Sequence, residues 1–143
     1  MHPSPIEAST AVSACWAEMT SRLAPLVPIL SDFRLRVRVT DACRALAVTS
    51  RTTLSRELER RQLPPFRLLK NWCPVCAMVE AAENGASLCD VALHRGEYPA
   101  ACYRLVKSST GRSWTEVRAK GSDWVKRCAL QAWEPYTRLR VIE

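Results

Sequence analysis

The sequence has little glycine, little strand-like alternation and no long apolar run. Only 4 of its 143 residues are glycine, and apolar and basic residues alternate over one short stretch, Leu35 to Val39. No segment approaches the roughly 20 apolar residues of a membrane span, and Met1 to Pro5 lack the basic and apolar regions of a secretory signal. These absences argue against a β-rich fold and a membrane protein, and we expect an all-α protein of the cytoplasm.

The cysteines are the residues most open to rival interpretations. Their number, 7, is odd, which fits a closed disulfide framework poorly. Cys73 and Cys76 form a Cys-x-x-Cys pair, which can be a redox dithiol or half of a zinc site, but Cys89, Cys102 and His94 supply no second close pair. We expect most of the cysteines to be small core residues, and we expect no bound metal and no cofactor. Metal or redox sensing through the cysteines is the alternative. No nucleophile motif surrounds the cysteines or histidines, so a non-enzymatic protein is predicted.

Acidic residues are scarce in one segment, from residue 34 to residue 70. The whole chain carries a formal net charge of +7, and this segment alone accounts for that excess. It contains only Asp41, Glu57 and Glu59 as acids. This charge favours a polyanionic partner. The basic residues of the segment are Arg34, Arg36, Arg38, Arg44, Arg51, Arg56, Arg60, Arg61, Arg67 and Lys70.

Apolar spacing and capping residues divide the chain into successive helices. A stripe at helical spacing from Thr10 to Leu23 predicts a packing helix, and Pro25 and Pro28 predict an irregular linker after it. The predicted parts are the packing helix and linker (1–33), a first helix pair (34–64), a long helix (65–85), a second helix pair (86–121) and a C-terminal helix and tail (122–143). The predicted N-terminal caps are Thr40, Thr49 or Ser50, Ser87 and Ser113. The predicted helix ends are Ala47, Gln62, Gly85, Gly121 and Trp133. The last helix is expected to end at Trp133 because Pro135 follows.

The stretch from Ala42 to Leu58 has the pattern of a helix-turn-helix. Such a motif needs small residues where two helices meet, a tight turn, and a second helix with a narrow apolar stripe. Cys43 and Ala47 are the small residues expected near the crossing, and Val48 is expected to fill the turn. On a helix that rotates 100° per residue, Leu54 and Leu58 point inward.

The opposite side of that second helix predicts a DNA-reading surface. Arginine can donate two hydrogen bonds to guanine, and we expect Arg56 to do so. Arg51 begins the helix, where phosphate is the expected contact. The candidate DNA-binding residues of the first helix pair are Arg51, Thr52, Thr53, Ser55, Arg56 and Arg60.

From Val39 to Gly121 the chain resembles the DNA-binding domain of the AraC/XylS family of transcription regulators. Leu63-Pro64-Pro65-Phe66-Arg67-Leu68-Leu69 is similar to the start of the family's linker helix, and Asn84-Gly85-Ala86-Ser87 to its end. Thr110-Gly111-Arg112-Ser113-Trp114 is similar to the family's closing turn and capped helix. The resemblance implies two helix-turn-helix units, homeodomain-like three-helix subdomains, joined by a long linker helix and bound to double-stranded DNA at the nucleoid.

The resemblance places the second recognition helix at Ala100 to Ser109. Its inward residues are then Cys102, Leu105 and Val106, and Pro74 falls inside the linker helix, so a kink or break is expected near Trp72. The 38 residues before Val39 cannot hold an effector domain, so any sensing would come from a separate regulatory partner. The Thr10 to Leu23 helix could instead be the contact of a homodimer. A degenerate helix-turn-helix that binds a protein is the alternative. The candidate DNA-binding residues of the second unit are Ala100, Arg104, Lys107 and Ser108.

Overall fold

The structure is a computed structural model that describes residues 5–30, 37–94 and 96–141, with side chains from residue 10 onward. Within these ranges every regular element is a helix, so the prediction of an all-α fold is confirmed. The helices are α1 (Pro5–Arg22), α2 (Val27–Leu30), α3 (Val39–Ala45), α4 (Arg51–Arg60), α5 (Phe66–Glu83), α6 (Leu88–His94), α7 (Pro99–Thr110), α8 (Trp114–Lys120) and α9 (Ser122–Thr137).

The N-terminal helix packs on the domain as its apolar stripe predicts. Val12, Met19 and Leu23 are buried, and Trp16 stacks on Trp133 with ring centroids 5.7 Å apart. The linker predicted after α1 contains one helical turn, α2. Pro28 is tolerated there because a first-turn residue has no intrahelical partner for its N–H. Residues 35 and 36 of the strand-like stretch lie outside the described residues. Val37 and Arg38 belong to no regular element, and Val39 begins α3.

The starts of α3 and α5 differ from the prediction, whereas α4 and α8 are capped by Ser50 and Ser113 as predicted. α3 begins at Val39 rather than after Thr40, because Asp41 accepts a hydrogen bond from the backbone N–H of Arg38 at 2.9 Å. α4 is capped by Ser50, whose Oγ accepts from the N–H of Thr53 at 3.1 Å. α5 begins at Phe66, with Pro65 at the capping position rather than inside the helix.

The long helix α5 runs without interruption from Phe66 to Glu83 through Pro74, so a break near Trp72 is excluded. The alternative, a kink at that point, stays a prediction. Proline removes the N–H that would bond the carbonyl of Lys70, at a cost of about 3 kcal/mol. Nine residues of α5 are buried, Pro74 among them, and burying a large apolar side chain contributes about 1.5–3 kcal/mol. Packing on both ends of α5 therefore offsets the lost hydrogen bond.

The buried residues form two hydrophobic clusters that meet at Pro74. The first cluster contains buried residues of α2, α3, α4 and the first part of α5, ending at Cys73. The second begins at Val75 and includes buried residues of α6, α7 and α8. Trp16 and Trp72 pack against both clusters. α5 thus supplies one wall to each cluster and connects the two helix pairs, α3 with α4 and α6 with α7.

The last helix also spans both clusters, which sequence reasoning did not anticipate. α9 continues past Trp133 to Thr137, so the predicted end before Pro135 is wrong. Pro135 sits in the final turn, where its missing N–H removes a single hydrogen bond. Lys126 pairs with Glu80 at 2.8 Å, and Trp133 Nε1 donates to the Leu68 carbonyl at 3.3 Å.

A third contact fastens the start of α9 to the end of α5. Glu83 accepts hydrogen bonds from the backbone N–H and the hydroxyl of Ser122, at 2.6 and 2.9 Å. The two helices are therefore antiparallel and joined along most of their length. This pairing holds the two helix pairs in one fixed relation.

Candidate nucleic-acid interface

The outer face of α4 is the surface that the sequence predicts for DNA. Leu54 and Leu58 are each only 2% exposed and anchor the inner face. With 100° of rotation per residue, Arg56 lies opposite the midpoint between them, and Thr52 lies beside it. All the predicted side chains of this helix are exposed: Arg51, Thr52, Thr53, Ser55, Arg56 and Arg60.

The start of α4 is fixed by a local hydrogen-bond network. The hydroxyls of Ser50 and Thr53 are 2.7 Å apart and share a hydrogen bond, and the same Ser50 oxygen caps the helix. Thr53 therefore uses its hydroxyl within the cap. Thr52 is left as the threonine whose hydroxyl can contact a nucleic acid.

The turn between α3 and α4 corrects one expectation. Cys43 is buried at the helix contact as predicted, and its thiol lies 3.7 Å from the Ser50 carbonyl. Ala47 is instead exposed and has a left-handed backbone, with φ of 56°. Its role is to let the chain turn after α3, because a small side chain tolerates this conformation better than a bulky one. Val48 packs against the first cluster as expected.

Ion pairing separates the arginines of α4 into two groups. Glu57 accepts from Arg60 Nε at 3.1 Å and from Arg61 Nε at 2.8 Å. These hydrogen bonds lower the pKa of the Glu57 carboxyl to about 2, so it stays ionised and holds both guanidinium groups. Arg51 and Arg56 have no hydrogen-bond or ion-pair partner in the described parts of the chain. Arg56 is therefore the more available cation on the outer face.

Ser55 lies at the flank of the outer face rather than at its centre. It borders a crevice of about 540 Å³ between α4 and the end of α9. Glu59 and Gln62 continue that wall, and Tyr136 and Arg138 form the other.

The second helix pair presents a similar face on α7. Cys102 and Val106 are fully buried, as predicted, and Leu105 is half-buried. Arg104 stands midway between the two buried residues in sequence, as Arg56 does between Leu54 and Leu58. Arg104 has no hydrogen-bond or ion-pair partner among the residues that the structure describes. All the predicted side chains of this helix are exposed: Ala100, Arg104, Lys107 and Ser108.

Two of these α7 side chains are engaged by their own helix. Lys107 Nζ donates to the Gly111 carbonyl at 3.2 Å, and the Ser108 hydroxyl donates to the Leu105 carbonyl at 3.2 Å. Gly111 itself ends α7 with φ of 73°. Arg104 is thus the best-placed candidate of α7.

Exposed aromatic side chains near α7 were missed by the sequence reasoning. Tyr98 is 69% exposed and Tyr103 is 41% exposed, and Leu93 of α6 is exposed as well. Tyr103 directly precedes Arg104. A helical wheel for α7 places Tyr103 outside the buried stripe, so its exposure could have been predicted from the sequence.

The cysteines do not assemble into a metal or redox centre within the described ranges. No group of three or more His, Cys, Asp and Glu residues there could hold a metal ion, and all the cysteines are free thiols. Burial raises the pKa of Cys73 to about 12 and raises that of Cys76 well above its ordinary value. A redox-active thiol needs a lowered pKa, because the thiolate is the reactive form.

We predict that iodoacetamide near pH 8 labels Cys89 first in the native protein. Cys89 is exposed and Cys43, Cys73, Cys76 and Cys102 are buried. Cys15 and Cys128 are half-buried, and burial raises the pKa of both thiols. Access and thiolate content together control the rate. Mass spectrometry of digested protein should show one rapidly labelled site, which Cys89→Ser removes. Rapid labelling of Cys73 or Cys76 would contradict this and favour the redox alternative.

Comparisons with known protein families, with curated proteins and with solved structures find no match to this chain. The resemblance to the AraC/XylS family therefore depends on the motifs quoted above. No helix in the described ranges has the length and apolar character needed to cross a bilayer.

Proposed function

We propose that the protein is a sequence-specific, DNA-binding transcription regulator of the AraC/XylS type, acting at the nucleoid. One observation carries the proposal: α4 and α7 present Arg56 and Arg104 at equivalent positions, each exposed and opposite a buried pair. An α-helix fits the major groove, and an unpaired arginine there can bind guanine through two hydrogen bonds.

The electrostatics of the chain support this proposal. The positive segment of residues 34–70 includes all of α4 and the first turns of α5. Phosphate contacts from such a surface position a protein on the duplex, while base contacts specify the sequence. With α5 and α9 holding the helix pairs together, two recognition helices would enter major-groove segments about 10 base pairs apart.

In vitro selection from random duplexes tests the proposal. The full chain is bound to a pool of random double-stranded DNA, and bound molecules are amplified over several rounds. We expect enrichment of a sequence with guanine at one or more fixed positions. Recovery of unbiased sequences after repeated selection would contradict sequence-specific binding.

A protein-interaction module is the second candidate, favoured by the exposed Leu93, Tyr98 and Tyr103. Tyrosine is enriched at protein interfaces. Salt dependence separates the two candidates, because each phosphate neutralised contributes about −0.9 to the slope of log affinity against log salt. A steep slope for duplex binding supports the regulator, and an absence of duplex binding at low salt favours the interaction module.

We predict that Arg51→Ala weakens binding to the selected sequence and to random duplex by the same factor. Arg51 is the first residue of α4, where a phosphate is attracted by the helix N-terminus as well as by the guanidinium. Fluorescence anisotropy with both duplexes measures the two affinities. A loss confined to the selected sequence would instead assign Arg51 to base recognition.

A further inference from the structure

A groove beside α7 brings the linker helix into the proposed interface. It is an open groove of about 450 Å³ between α5 and α7. Lys70 and Asn71 form the α5 wall, and Arg104 and Ser108 stand on the α7 wall. The groove is thus lined by two cations, an amide and a hydroxyl, with no carboxylate among its described lining residues.

Contacts on both walls hold the groove in shape. The Ser109 hydroxyl donates to the Asn71 carbonyl at 3.0 Å and fastens α7 to α5. Lys70 is half-buried, and its Nζ lies 5.8 Å from the centroid of the Phe66 ring. A lysine held against an aromatic ring has fewer conformations to lose when it binds an anion.

No carboxylate that follows Lys70 on α5 lies close enough to neutralise the positive charge of the groove. Arg67, one turn before Lys70, is exposed, and the first acid after Lys70 on α5 is Glu80. At 1.5 Å of rise per residue, that carboxylate is about 15 Å away along the axis. This exceeds the screening length of roughly 8 Å at physiological salt.

We propose that Lys70 and Asn71 bind a DNA backbone phosphate that lies between the two major-groove segments entered by α4 and α7. This inference rests on the proposed function. The ammonium and the amide N–H groups are donors for the non-bridging phosphate oxygens, and Arg104 bounds the same groove from the reading helix. The contact fixes where the second helix pair sits along the duplex, and it carries no sequence information of its own.

The test compares Lys70→Gln with Lys120→Gln, a change of equal charge on α8, which does not line the groove. Binding to the selected and random duplexes is measured by anisotropy across a range of KCl concentrations. For Lys70→Gln we expect several-fold weaker binding to both duplexes and a salt slope smaller by about 1. Lys120→Gln should keep the original slope, and Lys70→Arg should restore it.

Three outcomes would overturn the inference. They are an unchanged slope in Lys70→Gln, an equal reduction in both glutamine variants, or a loss confined to the selected duplex. If the wild-type chain binds no duplex at all, the proposed function itself fails. If the wild-type chain binds DNA and Lys70→Gln binds it with the same affinity and salt slope, only the proposed phosphate contact is wrong.

Discussion

Arg56→Ala should lower the preference for the selected sequence over random duplex by about 1–3 kcal/mol, or roughly 5- to 150-fold. The reason is that Arg56 stands at the centre of the outer face of α4 and has no side-chain partner within the described residues. It can therefore donate two hydrogen bonds to one guanine. Competition binding with the two duplexes measures the ratio directly.

Arg60→Ala is the matched control on the same helix. Its guanidinium is already hydrogen-bonded to Glu57, so we expect a smaller loss of preference than for Arg56→Ala. We expect Arg104→Ala, and Lys107→Ala with it, to matter less as well. The family that the chain resembles usually has aromatic residues in its second recognition helix, where this chain has Cys102 and Val106. Equal weakening of both duplexes by Arg56→Ala would remove its role in base recognition.

Trp133→Ala should lower the free energy of unfolding by about 3–5 kcal/mol, the range for truncating a large buried aromatic side chain. Trp133 is fully buried, stacks on Trp16 of α1 and donates a hydrogen bond to α5. Its loss leaves a cavity between α1, α5 and α9, and the Trp16 ring loses its stacking partner. Urea unfolding followed by circular dichroism measures the change.

Tyr136→Ala on the same helix is the control for that measurement. Tyr136 is 42% exposed, and substitutions at exposed positions usually change stability by about 0.5 kcal/mol or less. Similar unfolding midpoints for the two variants would show that α9 does not hold the fold together as described. A large effect at Trp133 alone would confirm that α9 is part of the core.

The parts of the molecule that follow local rules were predictable from the sequence. Ser50 caps α4 because its hydroxyl reaches an N–H three residues on, and Ser113 caps α8 in the same way. The inner faces of α4 and α7 follow from helical rotation, so Leu54 and Cys102 were correctly placed. These rules also placed the predicted DNA-facing side chains on exposed surface.

The parts that depend on distant packing were not predictable in the same way. Local chemistry marks Pro74 and Pro135 as helix breakers, but burial of α5 and α9 outweighs one lost hydrogen bond at each. The groove beside Lys70 arises only because α7 folds back onto α5, 38 residues away at the Ser109 contact. Within the sequence, Lys70 was visible only as one charge in a basic segment.

Chemical protection of guanine N7 on the selected duplex tests the central claim most directly, because that atom lies in the major groove. We predict that the bound protein shields guanines from dimethyl sulfate in two clusters about 10 base pairs apart, and that Arg56→Ala exposes guanine in one cluster only. Guanines that remain fully reactive under saturating protein, or two clusters unaffected by Arg56→Ala, would contradict the account.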